Sequence, residues 1–268
     1  MSDNLPKLTE EQEHMAELLV LFTKVSKQGW EKSNRSNNTG IGKTFEDLIG
    51  KDEDNLNNPD FKGIEIKTHR SDSGSYTTLF TASPDGPIKN ENTRLRETYG
   101  SIDQESGLKI LHSSIFANRL TSFFNKLYFQ MEVNRKDKKI YLLIYDKDKK
   151  LIEKITYWEF DSLKNKLEKK LKILAYVDTQ NKYIDNEEYF KYEKMTFYTF
   201  KDFEKFLELV EDGTIMLDIR IGVYKSGTSK GKTHDHGTGF RIKECDLEKL
   251  YDAYNILEFI NPNKEEEN

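Results

Sequence analysis

From Ile215 to Ile221 the residues Ile215, Leu217, Ile219 and Ile221 alternate with Met216, Asp218 and Arg220. A period of two marks a strand with one face in a core and a more polar face opposite. A chain with this segment has to build a sheet around it. The runs KKIYLLIYD and LIEKITYWEF, joined by a turn at 147–150, predict a hairpin, and LKILAYV (171–177) predicts another strand. Helical spacing occurs as well. Thr9-Glu10-Glu11-Gln12 is a capping box; Met15, Leu18, Leu19 and Phe22 follow at helical intervals, and Gly29 is a stop. A short helix is predicted over 43–49, buried through Phe45, Leu48 and Ile49 and ended by Gly50. Asp161 predicts a cap for a helix through Lys170. Thr199 predicts a helix carrying Phe203, Phe206, Leu207 and Val210, and Asp246 a last helix after the strand FRIK. Residues 84–119 read as irregular, and the aromatics from Tyr189 to Phe206 as core. No repeat or flexible linker divides the chain. It reads as one domain over 1–268, of α/β (mixed α+β) class, with room for two lobes.

Composition narrows the function classes. The 268 residues carry 42 basic and 47 acidic side chains, a formal charge of −5. With 14 Tyr and 16 Phe the chain is too aromatic for a disordered protein. It has no apolar run long enough to span a bilayer, and its first residues lack the basic and apolar regions of a signal peptide. The single Cys245 cannot pair within the chain, which fits a reducing compartment. A cytoplasmic protein without membrane association is expected. The acidic total hides its distribution, however. Residues 220–243 hold Arg220, Lys225, Lys230, Lys232, Arg241 and Lys243 against Asp235 alone. A basic segment on an acidic body suits a protein that grips DNA with one face.

Two stretches carry chemistry. In Pro59-Asp60-Phe61-Lys62-Gly63-Ile64-Glu65-Ile66-Lys67 the two isoleucines of a strand point to the core and Glu65 and Lys67 to the other face. A Gly-containing bend lets Asp60 fold back toward Glu65. The two carboxylates and the Ile66 carbonyl then offer hard oxygen ligands to Mg²⁺. Lys67 is placed to orient a water or to stabilise charge on a scissile phosphate. The competing reading is a charged, exposed strand face, since acidic-x-Lys recurs at 60–62, 137–139, 148–150 and 168–170. The second stretch is Lys232-Thr233-His234-Asp235-His236-Gly237-Thr238. It reads as a metal site through His234 and His236, as a solvated hairpin tip, or as a DNA-reading loop. Six basic residues nearby favour the last. Imidazole and guanidinium donors suit guanine N7 and O6, and Asp235 suits the cytosine amino group. Lys230 is expected on phosphate, and Asp218, Arg220 and Arg241 are expected partners of the loop. Arg94 and Arg96, in what read as polar loops with Arg70 and Arg119, are candidate phosphate contacts.

Both stretches lie in longer runs that resemble one family. NTGIGKTFEDLIGKDEDNLNNPDFKGIEIKTHR (38–70) is similar to the MvaI/BcnI type II restriction endonucleases, and to their MvaI branch in particular. The likeness continues through TLFTASP (78–84), NTRLRETYG (92–100), YWEFDSLKNKLEKKLK (157–172) and DIRIGVYKSGTSKGKTHDHGTGFRI (218–242). It implies a PD-(D/E)xK nuclease fold of the MutH type, two lobes around a DNA cleft, with a catalytic motif region at about 36–70 and a recognition region at about 218–242. Carried over by motif position, Asp60, Glu65 and Lys67 are the catalytic set. Glu46, in KTFEDL, stands where this fold class places a further acidic residue near the metal. The segment holding Lys232, His234, Asp235 and His236 is then the major-groove reader. The implied activity is Mg²⁺-dependent cleavage of double-stranded DNA at a C/G-rich pentanucleotide, CCWGG with W either A or T. The implied enzyme is a bacterial, cytoplasmic monomer that nicks the strands in turn and is paired with a cognate methyltransferase. A strand-nicking repair endonuclease like MutH and a non-cleaving DNA-binding protein are the other readings.

Overall fold

The computed structural model describes residues 8–35, 39–51, 58–70, 76–104 and 106–257. Most of the polar stretch expected before Pro59, part of the loop expected at 31–42, and the tail ending KEEEN lie outside these. In chain order the first elements are α1 (Glu10–Gln28), β1 (Glu31–Lys32), α2 (Gly40–Leu48), β2 (Ile64–Arg70) and β3 (Tyr76–Thr81). Next come α3 (Glu91–Tyr99), β4 (Ser101–Ile102), β5 (Lys109–Ile115), β6 (Thr121–Phe123), β7 (Leu127–Asn134) and β8 (Lys139–Tyr145). They are followed by β9 (Leu151–Glu153), β10 (Tyr157–Glu159), α4 (Phe160–Lys170), β11 (Ile173–Ile184) and β12 (Glu187–Phe200). The remaining elements are α5 (Phe203–Glu211), β13 (Met216–Val223), β14 (Thr233–Asp235), β15 (Gly239–Lys243), α6 (Leu247–Leu250) and β16 (Tyr251–Tyr254). The mixture of helices and sheets is the α+β architecture expected.

The chain forms two compact units. The first comprises Met1–Gly74, Glu168–Lys201 and Tyr251–Asn268. Its sheet runs β1-β12-β11-β2, with β16 on β12. β11 and β12 form a hairpin whose turn residues Asp185 and Asn186 both have positive φ, which twists the strands the right way. β2 lies parallel to β11, Ile64 opposite Ile173 and Ile66 opposite Ala175. On one face α1 packs Met15, Leu18, Phe22 and Val25 onto these residues. Thr9 and Gln12 form the expected capping box, and Gly29, at φ 86°, ends the helix.

The second unit comprises Ser75–Leu167 and Asp202–Leu250. It has one sheet ordered β10-β8-β7-β6 with β9 on β8, and another ordered β3-β15-β13-β5-β4 with β14 on β13. Phe80, Phe206, Phe240 and Trp158 are buried together, and the Trp158 indole donates to the Ala82 carbonyl at 3.0 Å.

Several expectations are corrected. The helix expected over 43–49 starts at Gly40 and ends at Leu48. Thr199 is still in β12, which keeps its pairing with β11 and β16; Asp202 caps α5 instead, accepting from the Lys205 amide at 2.7 Å. Phe160 begins α4, so Asp161 lies in its first turn. LIEKITYWEF is not one strand but two, β9 and β10, both paired with β8. Within 84–119 lie α3 and β5, so Arg94 and Arg96 are helical; Arg70 ends β2. After Asp246 only a four-residue helix follows before β16. Finally, β13 is buried on both faces apart from Arg220.

Candidate functional site

The stretch around β2 is shaped by a tight turn. Phe61 and Ile64 exchange backbone hydrogen bonds of 2.8 and 2.7 Å across Lys62 and Gly63, at φ 43° and 87°. Two positive φ values make a two-residue hairpin turn, for which Gly63 is the suited residue. The turn brings Asp60 back beside β2, where its Oδ2 accepts from the Ile66 amide at 2.9 Å. In the order of strands β2 is at the edge. The amide and carbonyl of one strand residue point to the same side. The Ile66 carbonyl therefore faces the same open edge as Asp60.

Glu65 is not on an exposed face: it is 1% accessible. Its Oε1 receives Lys67 Nζ at 2.5 Å and has Lys170 Nζ at 3.5 Å. Its Oε2 is buried with no hydrogen-bond partner. A buried carboxylate oxygen without a donor is costly and signals a missing partner. Asp60 Oδ1 pairs with Lys51 Nζ at 2.6 Å, and Lys51 lies 3.8 Å from Glu46 on α2. Burial pushes the Glu65 carboxyl above the ordinary carboxylate range against the pull of Lys67, with Asp60 adding to the rise. Burial raises Glu46 as well, opposed by Lys51. For Asp60 burial acts in the same direction, but the bonds from Lys51 and the Ile66 amide outweigh it and its pKa falls below the usual value. The structure thus brings together Asp60, Glu65 and Lys67, and joins Glu46 to them through Lys51. These are hard oxygens with one unfilled acceptor, a donor set that fits a divalent cation such as Mg²⁺. Lys51 and Lys170 were not singled out from sequence, because nothing distinguishes them from the chain's many other lysines.

In the second unit, polar groups converge on β13. Asp218 Oδ2 accepts from Arg220 Nε at 2.6 Å and lies 3.0 Å from Arg241 Nε; its Oδ1 accepts from Ser114 on β5 at 3.2 Å. Arg220 is half exposed, whereas Arg241 is largely buried and burial lowers its pKa. The segment after β14 is pinned to the backbone of Arg220. The His236 amide donates to the Arg220 carbonyl at 2.9 Å, and the Arg220 amide to Thr238 Oγ1 at 2.9 Å. Asp235 Oδ1 accepts from the amides of Gly237 and Thr238 at 3.0 and 2.6 Å, and its Oδ2 accepts from Asn92 at 2.9 Å.

The imidazoles form a row. His234 is 4.3 Å from the Tyr224 ring and 4.4 Å from His236, which lies 6.3 Å from His112, opposite Arg220 in the β5 register. A Cβ on Gly222 would come within 2.6 Å of His236 Nε2, so the glycine makes room for that ring. Burial lowers the pKa of His236, with His234 and His112 adding to the effect; burial followed by Arg220 lowers His112. Each is therefore neutral near pH 7, with one N–H to donate. Lys230 and Lys232 flank the row, and the Lys232 carbonyl accepts from the Tyr224 amide at 3.1 Å. Arg94 and Arg96 have protein partners: Arg94 binds Glu91, Glu153 and Thr156, and the buried Arg96 binds Glu97 and the Lys109 carbonyl. Nothing in the sequence around Asn92, His112, Ser114 and Tyr224 singled these residues out.

Comparison with known proteins identifies the family and the fold. The model of the MvaI/BcnI restriction endonuclease family matches residues 19–251. A solved complex of restriction endonuclease MvaI with cognate DNA substrate is 40% identical, with a TM-score of 0.85, covering 93% of this chain and 100% of that one. MvaI in the absence of DNA is also 40% identical, with a TM-score of 0.61 and coverage of 92% and 98%. No curated protein sequence matches.

Proposed function

The chain belongs to the MvaI/BcnI restriction endonuclease family and is a site-specific deoxyribonuclease, and from that premise we propose that it hydrolyses double-stranded DNA at CCWGG with Mg²⁺. The observation that carries the metal assignment is the buried, partnerless Oε2 of Glu65, whose carboxyl feels the charge of Asp60, the residue folded back onto the Ile66 amide. Asp60, Glu65 and the Ile66 carbonyl are the groups that would hold the ion. Bound there, Mg²⁺ supplies Lewis-acid charge at the scissile phosphate and acidifies water. Lys67, fixed by Glu65, orients the attacking water and offsets charge on the phosphate. Glu46 acts through Lys51, which also neutralises Asp60.

The second unit supplies specificity. His234 and His236 donate to guanine edges, and Arg220 and Arg241, aimed by Asp218, do the same. Asp235 keeps acceptor capacity on Oδ2 for a cytosine amino group. Lys230 and Lys232 contact phosphate. Arg94 and Arg96, already bound to protein partners, brace this region and touch the backbone at most through their remaining donors. The two units serve one endonuclease domain. A pentanucleotide has a central base pair, and A·T cannot match a two-fold axis through it. One monomer with one metal site avoids that conflict and cuts the strands one after the other. Such an enzyme needs a methyltransferase of the same specificity to spare its own genome, and its place is the bacterial cytoplasm.

A supercoiled plasmid with one CCWGG site, incubated with Mg²⁺, tests this reading. Open circles should appear first and linear DNA second, with sequenced ends at the site. Arrest at the nick would identify a repair nickase, and no cleavage a binding protein. Linear DNA without nicked circles, at a rate rising as the square of enzyme concentration, would identify a dimer.

A further inference from the structure

The reading segment is held from two sides, and the second side lies outside both stretches singled out above for their chemistry. Among the described residues, β14 pairs with β13 alone, Thr233 opposite Val223 to Asp235 opposite Ile221. On its other side stands the first turn of α3. Asn92 Nδ2 donates to Asp235 Oδ2 at 2.9 Å and to Ser83 Oγ at 3.3 Å, and Thr93 Oγ1 donates to Thr233 Oγ1 at 2.9 Å. Asp235 in turn organises the amides of Gly237 and Thr238, and Thr238 holds the Arg220 amide. A continuous path of hydrogen bonds therefore runs from α3 through the loop to β13.

The same turn is anchored from beneath. Glu91 is buried and receives Arg94 Nε at 3.0 Å on each oxygen, together with the Thr156 hydroxyl. Arg94 also binds Glu153 at 2.7 and 2.9 Å, and the Tyr99 hydroxyl donates to Glu153 at 2.7 Å. A buried ion network is weak evidence for stability and better evidence for a fixed position. Asn92 shows the same economy: its Oδ1 is buried without a donor. An amide kept at that cost is suited to placing a partner more than to stabilising the fold.

We propose that Asn92, seconded by Thr93, is a positioning residue for base discrimination, holding Asp235 and through it the loop 236–238 in the pose that meets the bases. The proposal rests on the reading that this loop contacts bases. It is tested on the full-length enzyme by comparing kcat/KM on a CCWGG duplex and on duplexes with one base pair changed. Asn92→Ala should lower that ratio on the order of tenfold, mainly through KM, with the melting temperature held. Thr93→Val should lower it less. In Asn92→Asp two carboxylates face each other, so the loss should exceed that of the alanine. Because Asn92 acts through Asp235, Asn92→Ala in an Asp235→Ala background should add little. Full discrimination in Asn92→Ala and Thr93→Val, with loss in Asp235→Ala, would overturn the proposal and leave the reading standing, as would additive losses. Full discrimination in Asp235→Ala would remove the reading as well.

Discussion

Glu65 on β2 and Asp218 on β13 are both buried carboxylates on strands, yet they are satisfied in opposite ways. Asp218 is surrounded by Arg220, Arg241 and Ser114, so its charge is spent on aiming two guanidiniums. Glu65 has Lys67 on one oxygen and nothing on the other. The proposed reading face is built in advance, which would lower the ordering cost of binding DNA. The proposed catalytic corner keeps one acceptor without a donor, the place the proposed cation would take.

The largest effect should come from the unfilled side. Glu65→Ala is expected to abolish cleavage while keeping specific binding within a few-fold when Ca²⁺ replaces Mg²⁺, as read by gel shift and plasmid digestion. A Glu65→Ala enzyme that cuts near the parent rate would erase the contrast. Asp218→Ala strands the buried Arg241 without its counter-ion. It should cost roughly 3 kcal/mol in stability and most of the discrimination, measured by denaturant unfolding and by competition with mismatched duplexes. Gly222→Ala displaces the His236 ring and should remove roughly 1–3 kcal/mol of discrimination with cleavage chemistry intact under saturating DNA. An equal loss on cognate and random duplexes would show that the ring reads no base. Lys230→Ala should weaken binding to all sequences and flatten the salt dependence by about one unit of slope. The smallest effect is with pH. His112 and His236 have lowered pKa values, so they stay neutral down through the usual imidazole range near about 6.5 and charge only below it. Discrimination should hold from pH 8 to 6.5 and decline at lower pH, as protonation adds donors that any phosphate can use; a decline beginning above pH 7 would contradict this.

What was legible in the sequence was local. The Thr9–Gln12 capping box, Gly29, and the turn before Ile64 are set by neighbours in the chain, and all are found. The resemblance to the MvaI/BcnI endonucleases named the family to which the chain belongs. What was missed depends on partners far along the chain. α3 buries only Glu91, Leu95 and Arg96, so no apolar stripe announced it; Glu153 at the end of β9 and Thr156 just before β10 fix it from far along the chain. Asp218 was expected on a polar face, but β5 and β15 bring Ser114 and Arg241 to it. Glu65 was expected on a half-buried strand, but β11 lies parallel to β2, and parallel strands tend to be covered on both faces.

That parallel pairing also sets a timetable. Apart from the local bridge to Phe61, the only strand that β2 pairs with among the described residues is β11, and the whole of β3 to α4 is made between them. On a ribosome adding about 5–20 residues each second, β2 therefore waits on the order of ten seconds for its partner. Asp60 and the turn can form in that interval, but the burial that raises Glu65 cannot. The proposed nuclease centre is thus assembled late in synthesis, after the strands β3 to β10 of the second unit have already been made.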